Sequence, residues 1–191
     1  MANYSLADTS GTDLLTTFRY RIRINPSFAG STGLKEEIEA YSNSCDLPSA
    51  NGSPLVWNMP GGMQNYQAGK RTINPISMTF VVDTEAGNKS IYTVLEHWTN
   101  ATYNLNTGAN KGKKNYCTDG ISIDILGERA RMGSDTTQSV KYTFQLLRAQ
   151  VTQVGYGTLS GESNSLLTVS CQLVYDDFKV TDGSGKDLVN T

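Results

Sequence analysis

The alternation of apolar and polar residues changes period several times along this chain, and each change marks an element. From residue 17 to 24, Phe18, Tyr20, Ile22 and Ile24 alternate with Thr17, Arg19, Arg21 and Arg23, the period of a half-buried strand. Asn25, Pro26, Gly30 and Gly33 supply turn chemistry, after which residues 34–41 resume an extended pattern carrying Glu36, Glu37 and Glu39. An antiparallel register with Ile24 opposite Leu34 sets Arg21 beside Glu37 and Arg19 beside Glu39. Such cross-strand charge pairs are worth only about 0.2–1 kcal/mol each, so their main effect is on register. The arginine row then reads as a solvated, internally neutralised face, with a phosphate-binding stripe as the other reading and packing against an acidic neighbour in an oligomer left open.

Residues 76–82 alternate again, with Ile76, Met78, Phe80 and Val82 on one face. The period then lengthens: Ile91, Val94, Leu95 and Trp98 fall at i, i+3, i+4 and i+7, predicting an amphipathic helix over 85–99 with Thr84 as its N-cap. Residues 117–126 return to period two through Ile121, Ile123 and Ile125. Two long strands follow, over 140–153 with a bulge near 147–150 and over 165–178, and the Gly-rich connection between them predicts a hairpin. One face of that hairpin is apolar; the other carries Thr143, Gln145, Thr168, Ser170 and Gln172, where a strand facing ordinary solvent usually carries Lys and Glu. A neutral face suits a wet channel wall, although Thr and Gln are also acceptable strand residues in their own right.

Between the second and third strands the pattern fails. Residues 46–72 mix Gly, Pro and Asn with Val56, Trp57, Met59, Met63 and Tyr66, which a surface connection has no use for. Loops of this length without structure are uncommon in compact domains unless they are functional. The expectation is that its core, residues 56–66, is poorly ordered in the isolated subunit and becomes covered by another copy of the chain. Around these elements the organisation is an N-terminal arm over 1–16, one domain over 17–178 and a polar C-terminal extension over 179–191.

Composition narrows the function. At 191 residues the chain is long enough for one domain with a real core. A net charge of −2 lacks the excess of Lys and Arg by which proteins grip duplex nucleic acid. No apolar run approaches the ~20 residues of a spanning helix, and residues 1–15 lack a basic-then-apolar signal pattern. Cys45, Cys117 and Cys171 are far apart and form no CxxC pair, which suggests neither a disulfide framework nor a zinc site. The N-x-S/T tripeptides at Asn51, Asn88 and Asn100 mean little without a secretion signal. His97 is the only histidine and sits on the flank of the helical stripe with no second ligand, so a surface role is expected. Gly155, Gly157 and Gly161 miss the dinucleotide spacing and join two strands rather than opening a helix. With no nucleophile elbow and no motif-borne acid pair, acid–base and triad chemistry have nothing to draw on, and the chain is expected not to be an enzyme.

The order of elements resembles the tail tube protein of contractile-tailed bacteriophages. The resemblance is carried by the strand at Phe18-Arg-Tyr-Arg-Ile-Arg-Ile24, by Ser44-Cys-Asp-Leu-Pro-Ser49, by Pro60-Gly-Gly-Met63 leading through Ala68-Gly-Lys-Arg-Thr72 into the strand at Ile76, by Leu95-Glu-His-Trp98 on the helix, and by Leu173-Val-Tyr-Asp-Asp-Phe178. It spans about residues 17 to 178. It implies a mainly β subunit, a β-sandwich or split barrel with one flanking α-helix, six of which close a ring whose long hairpins line a continuous lumen. Rings would stack into a tube through Leu47, Pro48, Val56, Trp57, Met59, Pro60, Met63, Tyr66 and Arg71 of the 46–72 segment, with the N-terminal arm also joining subunits. The lumen candidates are Thr143, Gln145, Thr168, Ser170 and Gln172; family lumens are commonly acidic, and this chain departs from that. The implied partners are further copies of the chain, a sheath protein, a tape-measure protein and a baseplate or tube initiator, with genomic DNA passing through unbound. No cofactor and no small-molecule substrate are implied, and the place is the tail of a virion assembled in the bacterial cytoplasm. A tube-initiator or baseplate role, a type VI secretion-type tube, and a non-viral β-sandwich binding module are the alternatives.

Overall fold

The computed structural model describes residues 20–25, 38–40, 42–82, 90–104, 107–127, 140–157 and 166–188. In chain order these form β1 (Tyr20–Ile24), β2 (Ile38–Ala40), β3 (Ser42–Cys45), β4 (Ala50–Gly52), β5 (Leu55–Asn58), β6 (Gln64–Gln67), β7 (Arg71–Ile73) and β8 (Ile76–Val81). Helix α1 (Ile91–Thr102) follows, then the short pair β9 (Tyr103–Asn104) and β10 (Ala109–Asn110), and finally β11 (Ile121–Leu126), β12 (Val140–Leu147), β13 (Gln150–Gly155), β14 (Thr168–Val174) and β15 (Asp177–Asp182).

Two antiparallel sheets face each other across one core. The first runs β15-β12-β11-β1-β2 and the second β13-β14-β8-β3. Period-two alternation supplies the inner faces: Ile22, Ile24, Ile121, Ile123 and Leu146 from the first sheet meet Ile76, Met78, Phe80, Val169, Cys171 and Leu173 from the second. Helix α1 adds its stripe of Ile91, Val94, Leu95, Trp98 and Ala101 to the same core. Trp98 is fully buried and its indole N–H donates to the Tyr116 carbonyl, which satisfies the one polar atom the ring brings inside. The helix begins at Ile91, with the Ser90 hydroxyl accepting from the Tyr92 N–H. Ser90 is therefore its N-cap; Thr84, the position expected from the sequence, lies outside the described residues.

Three expectations about strand pairing are corrected. In the first, Glu39 stands opposite Arg23, not Arg19, because β1 and β2 pair Ile22 with Ala40 and Ile24 with Ile38. A four-residue slip keeps every side chain on its face, so alternation alone could not distinguish the two registers. Arg21 instead faces Asp124 of β11, on the other side of β1; Arg19 and Glu37 lie outside the described residues. In the second, residues 140–153 and 165–178 do not form one hairpin. β12 pairs with β11 and β15, and only β13 pairs with β14. The chain leaves one sheet for the other at Arg148, a non-glycine residue in the left-handed region at φ 50°. That corner is held by Asp119, whose carboxylate accepts the Arg148 N–H, and by a two-way backbone bridge between Thr118 and Ala149. The bulge expected near 147–150 is thus a change of sheet. In the third, β15 runs through the boundary expected at residue 178 and pairs along the edge of β12, so residues 179–182 belong to the first sheet.

Candidate assembly surfaces

The 46–72 segment is a two-stage β-ribbon rather than an unstructured loop. Its base is β4 paired with β7, Ala50 opposite Ile73 and Gly52 opposite Arg71. Its distal part is β5 paired with β6, Leu55 opposite Gln67, Val56 opposite Tyr66 and Asn58 opposite Gln64. The tip closes through Met59 N–H to the Met63 carbonyl at 2.8 Å, and Gly61 and Gly62 adopt φ of 95° and 79°. Only residues free of a Cβ take two such angles in succession without strain, which explains Pro-Gly-Gly at this point of the sequence. Between the two stages the strands nearly touch: a Cβ placed on Gly69 would lie 1.7 Å from the Ser53 carbonyl oxygen.

Every residue of β5 and β6 is exposed, and beside the amides Asn58, Gln64, Asn65 and Gln67 they include the large Leu55, Val56, Trp57 and Tyr66. Met63 is 70% exposed, Tyr66 63%, Trp57 62% and Leu55 56%. A two-stranded ribbon alone in water is marginal at best, and contiguous exposed apolar surface of this kind marks an interaction site. Val56, Met59 and Pro60 share this exposure, as does Leu47 at the root. Two of the nine stacking candidates have other surroundings. Pro48 is buried at the root of the ribbon, and Arg71 turns back on its own subunit, pairing with Asp177 at 3.3 Å and lying 5.6 Å from the centre of the Phe178 ring. The same corner holds the other side of the root, where the Ser49 N–H donates to the Tyr175 hydroxyl and the Asn74 side chain donates to the Ser49 hydroxyl. Asp176 beside it accepts from Lys113 at 2.6 Å and pairs with Arg148 at 2.8 Å. The ribbon is thereby tied to the β14–β15 corner. Leu55 was missed by sequence reasoning, although its place beside Val56 and Trp57 was the available signal.

The second surface is the outer face of the β13-β14-β8-β3 sheet. Register places Ser44 beside Thr79, Thr79 beside Ser170, Ser77 beside Gln172, and Gln172 beside Gln153. Thr168, Ser170 and Gln172 lie together here, as the neutral alternation of that strand suggested. Thr143 and Gln145 do not: they are on β12, on the outer face of the opposite sheet, because the chain changes sheet at Arg148. Their company there is charged and polar. Thr143 donates to Asp124 at 2.8 Å, Gln145 donates to the Asp119 carbonyl at 3.1 Å, and both line a shallow hollow of about 300 Å³ with Arg23, Asn25 and Ser122. Asp124 is fully buried although it points outward, since Arg21 and Arg23 fold over it at 3.0 Å each. Ser44, Ser77 and Thr79 join the neutral face from strands whose polar positions had drawn no attention.

Among the described residues, neither surface gathers a metal-type cluster. His97 is exposed on α1, and among the described residues no three His, Cys, Asp or Glu side chains come together as a metal site would require. Burial pushes the Cys45 and Cys171 thiols up to about 12, with Asp46 adding to the effect at Cys45, so neither is a thiolate at neutral pH. Burial, followed by its hydrogen bond to Glu96, likewise raises Tyr156 to about 12, and its ring rests 5.0 Å from Tyr92, tying β13 to the helix.

A β-sandwich with a protruding, exposed apolar ribbon presents a surface suited to association. The chain belongs to the phage tail tube protein family, whose model matches residues 15–181. No curated protein matches it. Among solved structures it is similar to a chain of the PVC sheath-tube complex of an extracellular contractile injection system in its extended state. That match has 15% identity over 93% of this chain and 98% of the other, with a TM-score of 0.62. A chain of the anti-feeding prophage baseplate is similar at 12% identity, over 89% and 97% of the two chains, with a TM-score of 0.60. A chain of the PVC sheath/tube terminator is similar at 14%, over 88% and 96%, also with 0.60. At these identities the likeness is one of fold.

Proposed function

We propose that six copies of this chain close into a ring, that rings stack into the hollow inner tube of a contractile tail, and that the tube conducts DNA and the tape-measure protein during infection. The observation that carries the reading is the β5–β6 ribbon, on which Leu55, Val56, Trp57, Met59, Met63 and Tyr66 are uncovered among the described residues. Burying even half of each such side chain contributes roughly 1 kcal/mol apiece, multiplied around a ring. The contact joins a ribbon to a dissimilar surface, which generates a filament rather than a closed dimer.

Ring closure is supported by the edges of the four-stranded sheet. Among the described residues β13 pairs only with β14, and β3 only with β8, leaving one hydrogen-bonding edge on each. Joining β13 of one subunit to β3 of the next removes both edges and continues the neutral face around a lumen. The opposite sheet, with Arg21, Arg23 and Lys179, would then face outward toward a sheath, and a baseplate or tube initiator would start the stack. Assembly takes place in the host cytoplasm and involves no catalytic step, cofactor or small-molecule substrate. The N-terminal arm over 1–16 helps subunits join.

The test is a variant in which residues 54–69 are replaced by Asn-Gly. Ser53 N–H already donates to the Lys70 carbonyl at 3.1 Å, so a two-residue turn closes the shortened ribbon. Negative-stain microscopy and sedimentation should show tubes for the wild type and unstacked rings for the variant. A wild-type chain that stays monomeric from micromolar to millimolar concentration defeats the reading.

A further inference from the structure

The ribbon joins the four-stranded sheet at the end where β8 begins, with Ile76 opposite Leu173. The other end of the same strands, where Val81 stands opposite Thr168, carries a second group of exposed apolar side chains. Leu166 and Leu167 precede β14 there, and the Leu167 carbonyl accepts the Val82 N–H at 3.0 Å. Tyr156 follows β13 at this end; a Cβ on its neighbour Gly157 would lie 3.6 Å from the Leu167 side chain. Tyr92, in the first turn of α1, rests on Tyr156 with ring centres 5.0 Å apart. Helix α1 runs between the same two ends, because Trp98 in its last turn reaches Tyr116, in the segment whose Lys113 holds Asp176 beside the ribbon root. Leu166 is 75% exposed, Tyr92 42%, Tyr156 40% and Leu167 37%. At about 150–250 Å² for a whole large side chain, the ribbon leaves roughly 700 Å² open and this end roughly 400 Å², together about the 1,000 Å² that a specific interface must clear.

We propose that Tyr92, Tyr156, Leu166 and Leu167 form the seat for the β5–β6 ribbon of a subunit in the next ring. The proposal rests on the stacked-ring reading above. A heterologous contact needs two dissimilar surfaces on one subunit, whereas a ribbon-to-ribbon contact would be isologous and would stop at a pair of rings. The two surfaces stand at opposite ends of β14, Thr168–Val174, about 20 Å apart at about 3.3 Å per residue, so each copy offers its seat to another copy's ribbon. Their chemistry matches. Residues 53–69 contain no Asp, Glu, Lys, Arg or His, so docking the ribbon brings no charge of its own into the contact. At the seat the Glu96 carboxylate is already engaged, accepting from the Tyr156 hydroxyl and from the Asn100 side chain at 3.2 Å. Asp83, Glu85, Lys89 and Glu162 of the flanking segments lie outside the described residues. Trp57, Tyr66, Met59 and Met63 bring rings and polarisable sulfur to a pair of tyrosines, while Asn58, Gln64, Asn65 and Gln67 supply the polar rim that a packed contact requires.

The experiment puts a charge at the most exposed position of the seat. Leu166→Asp should still give rings in negative stain, with the critical concentration for stacking raised about tenfold or more, and Leu166→Met should stack as the wild type does. Rings of Leu166→Asp keep the ribbon, and rings with residues 54–69 replaced by Asn-Gly keep the seat. Mixed as preformed rings, the two should form stacks of two rings that grow no further, because each pair uses the one working ribbon face and the one working seat that remain. Leu166→Asp rings that stack like wild type, or mixtures in which no pairs form, overturn the seat and leave the ribbon-driven tube intact. Leu166→Asp rings that pair among themselves without the second variant reveal a ribbon-to-ribbon contact and overturn it equally. A wild-type chain that forms no tubes defeats the tube reading itself, on which the seat depends.

Discussion

Asp124 offers a quantitative test of how the first sheet is held. Its carboxylate is fully buried on the outward side of β11, accepting from Thr143 at 2.8 Å and from Arg21 and Arg23, each at 3.0 Å. Asp124→Ala deletes the anion and leaves two guanidinium groups facing each other over a small void. Removing one partner of a fully buried ion pair costs about 3–5 kcal/mol. Here the arginine side chains are 22% and 36% exposed and can turn partly to water, which lowers the expected loss to roughly 2–3 kcal/mol. For a domain of this size that is a fall of about 5–10 °C in Tm. The measurement is urea unfolding at fixed protein concentration in the background with residues 54–69 replaced, so that stacking does not contribute to apparent stability. Asp124→Asn should recover part of the loss by keeping one acceptor. A change below about 0.5 kcal/mol, the range of ordinary surface substitutions, would show that the network over β11 is not a stabilising unit.

Two further outcomes follow from the geometry. Gly69→Ala should leave the subunit folded, with unfolding within about 1 kcal/mol of wild type because the ribbon is solvent-exposed. Its Cβ would drive the strands apart at Ser53 and re-aim the distal hairpin, so the critical concentration for tube formation should rise about tenfold or more, equivalent to about 1.4 kcal/mol; unchanged tube formation would mean the approach at Gly69 is irrelevant to stacking. The second outcome concerns alkaline pH. Because burial raises Cys45 and Cys171 from 9.0 to about 12, the folded chain keeps protons that the unfolded chain loses in that window. Their contribution is whole below pH 9.0 and declines as pH rises toward about 12, by at most about 1.4 kcal/mol per pH unit for each thiol. Thermal unfolding over that range should therefore fall less steeply for Cys171→Ala than for wild type, and parallel curves would contradict the burial of that thiol.

Local pattern carried much of this protein. The period-two runs at Tyr20–Ile24 and Ile76–Val81 and the 3.6-period stripe from Ile91 to Trp98 are statements about which side of an element is apolar, and a core formed by one sandwich has to use those sides. The oddity of Val56, Trp57, Met63 and Tyr66 in a Gly- and Pro-rich stretch was likewise visible in the residues, as was the neutral face of β14. Pairing was not. Glu39 falls opposite Arg23 by a slip that preserves every face, Arg148 turns one apparent long strand into members of two sheets, and Asp124 is buried by side chains from a strand more than a hundred positions away. Alternation constrains the direction in which a side chain points but is blind to which strand lies alongside. That choice is made by long-range closure of the two sheets, and it decided which neutral residues share one wall and which stand on the opposite face.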